Sequence, residues 1–176
     1  MGLLTELNYT AKPSNGVQRR IQGVASSAWA GSLLSRTLFP LDTALFRLSR
    51  GRHTAASLLA GLPVLLLTTT GAKTGRARTK PLLGIPVDGK LAVIGSNFGT
   101  AATPGWVYNL EADPKATVEY RDRTVPVTAR RASAGETDRA FDLASVVYAA
   151  FPAYRARAAH RDIRVFILEE PDQPTG

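Results

Sequence analysis

Residues Val64 to Pro81 read VLLLTTTGAKTGRARTKP, and the fold turns on how this stretch is read. Val64–Thr70 is an apolar run of leucine and threonine that ends at a glycine, the pattern of a buried strand. Gly71 and Gly75 let the backbone turn sharply and leave its N–H groups uncovered. Lys73, Arg76, Arg78 and Lys80 follow with no acid among them. Cations beside such a turn make an anion site, for which phosphate or carboxylate is the natural guest. Judged by charge alone, the same residues are a solvated basic hairpin. The spacing matches neither a nucleotide P-loop nor a dinucleotide-binding G-x-G-x-x-G turn.

Downstream, the chain reads as strands joined by tight turns. Leu82–Val87 is apolar, Asp88-Gly89 is a hairpin signal, and Leu91–Gly95 is the returning strand. Ser96-Asn97-Phe98-Gly99 forms a small polar turn. Pro104 suits the first turn of a short helix over Trp106–Leu110, which Asp113-Pro114 ends. Ala116–Tyr120 and Thr124–Arg131 form a further hairpin. Gly135–Ala150 is a helix that offers Phe141, Leu143, Ala144, Val147 and Tyr148 to the core. Phe151-Pro152-Ala153-Tyr154 is a corner, and Val165–Leu168 is a further apolar strand.

Upstream, residues 1–16 are polar and read as a loose N-terminal tail. Residues 17–60 form an amphipathic helical segment and a basic linker, with Pro40 as a break. Two readings of residues 17–48 stay open. They are either a helix packed on the domain, or a basic helix lying on an anionic membrane surface with Trp29 and the leucines inserted. Residues 61–170 are the core domain, and 171–176 are a C-terminal tail. The tally is about six short, mostly antiparallel strands with flanking helices. The expected fold class is therefore α+β, a small closed or split β-barrel.

Composition narrows the chemistry. The chain has 176 residues, enough for one domain with a proper core. It has no cysteine, so disulfides, cysteine nucleophiles and thiolate metal ligands are excluded. His53 and His160 are its two histidines, far apart in sequence and without carboxylate clusters, which argues against a metal site or a Ser-His-Asp triad. No apolar run reaches the ~20 residues that span a bilayer, and no signal-peptide pattern opens the chain. The expected location is cytoplasmic, with peripheral contact on the inner face of the cell membrane if residues 17–48 bind lipid. The formal charge of +8 suits an anionic ligand, an anionic surface or nucleic acid.

The run LLLTTTGAKTGRARTKPL, the hairpin DGKLAVIGS and the stretch PGWVYNLEADPKATV form one ordered set. This set resembles the deazaflavin (coenzyme F-420)-dependent nitroreductase and quinone reductase family, over roughly residues 17 to 170. The resemblance implies the split β-barrel of the flavin and deazaflavin oxidoreductases. It also implies coenzyme F-420, a flat ring carrying a phosphodiester and an oligoglutamate tail. By match to the family's motifs, Lys73, Thr74, Arg78, Lys80 and Pro81 meet the cofactor, with Trp106 and Asn109 from the W-x-x-N motif. Arg76 joins them as a further cation of the turn. Ser96 and Asn97 fall on a turn that in the family reads Ser-Lys-Gly-Gly. Here it reads Ser96-Asn97-Phe98-Gly99, so one family cation is missing, and Lys80 is the candidate to compensate.

The reaction implied is hydride transfer, for which the protein has to position the ring, exclude water and supply a proton. Ser96 and Tyr154 are the candidate proton donors. Trp29, Tyr148, Phe151 and Tyr154 are the candidate lining of the acceptor site. That lining favours a small lipophilic acceptor: a quinone, an enone or a nitro-aromatic compound. Two alternatives come from other classes. One keeps the barrel and binds FMN, as an enzyme or a non-catalytic carrier; FMN has no glutamate tail and makes less use of the cations. The other is a basic membrane-surface or nucleic-acid binding module. Nucleic acid is disfavoured because the aromatics fall within apolar periodic segments, not on a basic face. Both monomer and homodimer are compatible with the sequence.

Overall fold

Three leucines followed by three threonines carry β1 (Val64–Thr70) through the sheet, with Leu65 and Leu67 turned inward. In the computed structural model, which describes residues 2–10, 62–149 and 151–171, β1 pairs antiparallel with β2 (Ala77–Val87), from Val64 opposite Leu83 to Thr70 opposite Ala77. The second strand thus begins inside the cationic stretch, five residues earlier than Leu82. Asp88-Gly89, both with positive φ, turn the chain into β3 (Lys90–Ile94). β4 (Lys115–Tyr120) and β5 (Arg123–Arg131) form the second hairpin, and β6 is Val165–Glu169. The six strands close a barrel in the order β1-β2-β3-β6-β5-β4, and every pairing is antiparallel.

The expected segments at 17–60, with Trp29 and the candidate membrane helix, lie outside the described residues, as do residues 172–176. Among the described residues, no helix is long and apolar enough to cross a membrane.

The expectation of a loose N-terminal tail is overturned for residues 2–10. Leu3–Glu6 is a short helix, α1, and Leu3, Leu7 and Tyr9 are buried in the barrel core. The Tyr9 hydroxyl donates toward two carbonyls, Pro63 O at 2.8 Å and Gly84 O at 2.7 Å. A side chain at Gly84 would collide with it, since a Cβ there would lie 2.5 Å from the Tyr9 oxygen. This segment plugs the end of the barrel where β1 begins. A stretch read as polar hides three apolar anchors, because Leu7 and Tyr9 each sit between polar neighbours and Leu3 stands in a pair of leucines too short to mark an element.

The opposite end is capped by α2 (Gly105–Ala112), whose Trp106, Val107 and Leu110 enter the core. The outward face of β2, β3 and β6 is covered by α3 (Ala134–Val147) and α4 (Phe151–Arg157). Two expectations change here. Phe151–Tyr154 is the first turn of α4, not a corner, because proline is tolerated at a helix start. Leu143 is not core but 37% exposed; the buried stripe of α3 runs through Ala140, Phe141, Ala144 and Val147.

Candidate functional site

The end of the barrel capped by α2 gathers the β1–β2 turn and the loop that follows β3. The turn is tight and internally bonded. Gly71 N–H donates to Arg76 O at 2.8 Å, and Gly71 O accepts from Thr74 N at 3.1 Å and Gly75 N at 2.7 Å. A Cβ on Gly71 would come within 2.9 Å of Thr74 Oγ1 and 3.0 Å of Arg76 O, so this position is closed to larger residues.

Lys73, Thr74, Arg76, Arg78, Lys80 and Pro81 are all exposed. Arg76 stands at the foot of β2, and the strand's alternation sets it on one face with Arg78 and Lys80, about 7 Å apart from one to the next. Among the described residues Lys73, Arg76 and Arg78 form no salt bridge, whereas Lys90, Arg130, Arg131, Arg139 and Arg164 all do. Exposed cations at this spacing can meet more than one anionic group of a ligand.

From Ala77 to Leu83, β2 stands alone on one side among the described residues. β3 pairs with it only from Gly84 to Val87, so the Ala77–Leu83 stretch has no strand on that edge among the described residues. The bond from Gly71 to Arg76 sets the ladder's phase, so Arg78 and Lys80 aim their backbone groups at β1, while Thr79 and Pro81 aim theirs at the open edge. Proline, which has no N–H, is suited to that position.

Trp106 and Asn109 hold this end together. The Trp106 ring is 5% exposed and packs edge-on against Phe166, with centroids 6.0 Å apart. One helical turn later, Asn109 accepts from Ala72 N–H at 3.0 Å and donates to Thr69 Oγ1 at 2.9 Å. Thr69 is buried and reaches Arg78 O at 3.4 Å. The structure therefore places Trp106 in the core and Asn109 as a clamp across the turn. Thr69 is a member of the site that the sequence reading passed over; within a run of three threonines nothing marks the inward one except strand phase.

Ser96 and Asn97 are half-buried in the loop after β3. Asn97 and Phe98 are both left-handed, with φ of 46° and 56°. For a phenylalanine that conformation costs about 1–2 kcal/mol, and it persists only where surrounding bonds enforce it. Asn97 Nδ2 donates to Thr100 Oγ1 at 2.6 Å and Ala102 O at 2.9 Å. Phe98 is 48% exposed, and its ring meets Tyr154 edge-on at 5.9 Å. Tyr154 is itself 5% exposed, and its hydroxyl lies 2.9 Å from that of Tyr148. Burial first, and then the neighbouring Tyr154, hold the Tyr148 hydroxyl well above the usual tyrosine range. Phe151 is buried against Phe141 and belongs to the packed layer beneath.

The structure thus gathers the predicted residues in two groups at one end of the barrel. The cationic hairpin, with its Asn109 clamp, is one. The loop at Ser96–Phe98, with Tyr148 and Tyr154, is the other. The sequence reading also passed over Arg161, whose guanidinium reaches that loop; no local motif marks an arginine ahead of a strand.

A family model described as F420H(2)-dependent quinone reductase matches residues 40–170. The chain belongs to that family. Its members reduce quinones with reduced coenzyme F-420, and at the level of the family this chain is such a reductase. It is similar to the F420H(2)-dependent quinone reductase Rv1261c of Mycobacterium tuberculosis, at 31% identity over 65% of this chain and 76% of that protein. A solved F420-H2 dependent reductase (FDR-A) superposes with a TM-score of 0.55 at 36% identity, over 61% of this chain and 94% of that one. A second solved structure, described as a domain-swapped dimer, gives a TM-score of 0.57 at 32% identity, over 74% and 99% of the two chains. The quinone reductase fold is thus the split barrel expected from the sequence.

Proposed function

We propose that this reductase acts on a lipophilic acceptor, a quinone in the first place, with enones and nitro-aromatics as further candidates. The proposal also assigns the anionic arm of coenzyme F-420 to the β1–β2 hairpin. Lys73, Thr74, Arg76, Arg78 and Lys80 would hold its phosphate and glutamate carboxylates, with Pro81, Ser96 and Asn97 nearer the ring. The observation that carries this reading is the exposed cationic hairpin, in which Lys73, Arg76 and Arg78 form no salt bridge among the described residues. When bound, the reduced coenzyme supplies a hydride.

The chain's own part is to bind, orient and manage a proton. Asn109 and Thr69 keep the hairpin in shape before the ligand arrives, which reduces the ordering cost of binding. The half-exposed Phe98 ring beside Tyr154 offers an apolar surface to an acceptor. The Tyr154 hydroxyl, hydrogen-bonded to Tyr148, is the first candidate proton donor, and Ser96 is the second. The residues favour the deazaflavin over FMN because FMN offers one phosphate to a hairpin of four cations.

A titration by tryptophan quenching, coenzyme F-420 against FMN at low and moderate salt, tests this. The expected result is micromolar binding of the deazaflavin and much weaker binding of FMN. Lys73→Ala should weaken deazaflavin binding roughly tenfold, more at low salt, while single-turnover hydride transfer stays close to wild type. Binding of FMN alone would overturn the cofactor assignment. Equal affinity in Lys73→Ala would remove the hairpin as its site.

A further inference from the structure

Arg161 lies in the segment between α4 and β6, 61 or more residues from the loop Gly95–Thr100 in sequence, and its guanidinium closes on that loop. Nη2 donates to Ser96 O at 2.8 Å, Nη1 to Gly95 O at 3.1 Å and Nε to Thr100 O at 3.2 Å. We propose that Arg161 is a positioning residue for the cofactor site: it fixes the loop that presents Ser96, Asn97 and Phe98.

Three features of the loop call for such a residue. Asn97 and Phe98 stand in succession in the left-handed region, which the chain does not hold without outside bonds. Ser96 O directly precedes that pair and Thr100 O lies two residues beyond it, so the fork grips the strained step from both sides. The Asn97 amide bonds and the Arg157 bond to Phe98 O, at 3.3 Å, brace the loop further, but neither reaches Gly95 or Ser96.

The electrostatics point the same way. A carbonyl oxygen carries partial negative charge and opposes an anionic ligand. Arg161 takes up three such oxygens on a single cation, so the loop turns less negative charge toward a bound anion. The planar guanidinium can serve three acceptors in a fixed geometry, and an ammonium cannot reproduce that fork. The inference rests on the proposed function, since it takes the loop to face the coenzyme.

The test compares Arg161→Lys with the wild-type chain by amide hydrogen exchange and by coenzyme F-420 titration. Exchange should rise at residues 97–100 and stay unchanged in β1 and β3. Coenzyme affinity should fall about tenfold, and KM for the coenzyme should rise by the same factor, with kcat at saturation within about twofold. Relieving the strained step should compensate: Phe98→Gly in the Arg161→Lys background should recover most of the affinity. Arg161→Gln is read in the same way if the lysine variant does not fold. Unchanged exchange at 97–100 would overturn the proposal, and so would raised exchange with wild-type affinity. If the wild-type chain bound no deazaflavin, the functional reading would fail; exchange measured without ligand would still decide whether Arg161 holds the loop.

Discussion

Tyr154 is the proposed proton donor, and its surroundings are closely packed. It is nearly enclosed, its ring is flanked by Phe98 and by the Arg157 guanidinium 5.0 Å from the centroid, and its hydroxyl meets Tyr148. With Tyr148 shifted upward, that partner stays protonated through the neutral range and keeps its own proton to share. If Tyr154 is the proton donor, Tyr154→Phe should lower kcat for quinone reduction by roughly a hundredfold while coenzyme binding is kept. Stopped-flow reduction under single turnover checks it, and an unchanged rate for every acceptor rules the hydroxyl out. At this scale the sequence was readable where a residue type dictates its use. Four cations in a glycine-bearing turn suit an anionic guest, and the structure shows that turn exposed. It was less readable where the use is mechanical. Trp106 and Asn109 stand out as a pair in the sequence, yet burial of one and two hydrogen bonds from the other make them supports for the hairpin. Only the folded register of β1 against α2 reveals that.

Among the elements, α3 is the clearest case of local rules and long-range charge working together. Ser133 and Glu136 form a capping box, with Glu136 N–H donating to Ser133 Oγ and Ser133 N–H donating to the Glu136 carboxylate. Glu136 also takes both terminal nitrogens of Arg130, at 2.8 and 2.7 Å, and Arg130 reaches on to Glu169, which binds Lys90. The network ties α3 to β5, β6 and β3. The Arg130 hydrogen bonds, followed by the Ser133 amide, hold the Glu136 carboxyl far below the usual range. A carboxyl depressed on folding stabilises above its unfolded pKa of about 4.3, and that stability is lost as pH falls toward the folded value. Glu136→Gln should therefore lower the unfolding midpoint at pH 7 by a few degrees, and the gap to wild type should narrow steadily below about pH 4. Thermal melts across that range check it; a gap that does not depend on pH would assign the loss to the cap alone. The helix was legible from its apolar period, and the Ser-x-x-Glu pattern marks its start at Ala134 rather than Gly135. The exposure of Leu143 was not legible, because apolar residues alone do not say which of two adjoining stripes faces the barrel.

For the molecule as a whole, the barrel has an end proposed to bind the coenzyme and an end plugged by residues 2–10. The plug is made by residues that composition assigns to a tail. Tyr9 alone answers two buried carbonyls, and Arg123 Nη1 fastens the same segment by donating to Glu6 O at 2.6 Å. Tyr9→Phe removes a donor but no packing. It should cost about 1–3 kcal/mol, or roughly 3–10 °C in the unfolding midpoint. Coenzyme affinity should be unaltered, since the substitution lies at the far end of the barrel. Calorimetry with a parallel titration checks both, and a loss of affinity would mean that the two ends are coupled. The closed sheet itself was predictable from strands joined by tight turns. The strand order was not, because β6 reaches its neighbours across the sheet and not through a hairpin.

That order bears on how the chain is made. Strands β3-β2-β1-β4-β5 can pair as soon as they leave the ribosome, each beside one that preceded it, but they form an open ribbon with β3 and β5 as bare margins. β6 is the stave that joins those margins, through Leu91–Leu168 on one side and Arg130–Ile167 on the other. Until residues 165–169 emerge, the nascent ribbon exposes both its apolar lining and two rows of unmet backbone groups. Nascent chains stalled before Val165 should therefore depend on holding chaperones, and chains released past Glu169 should not.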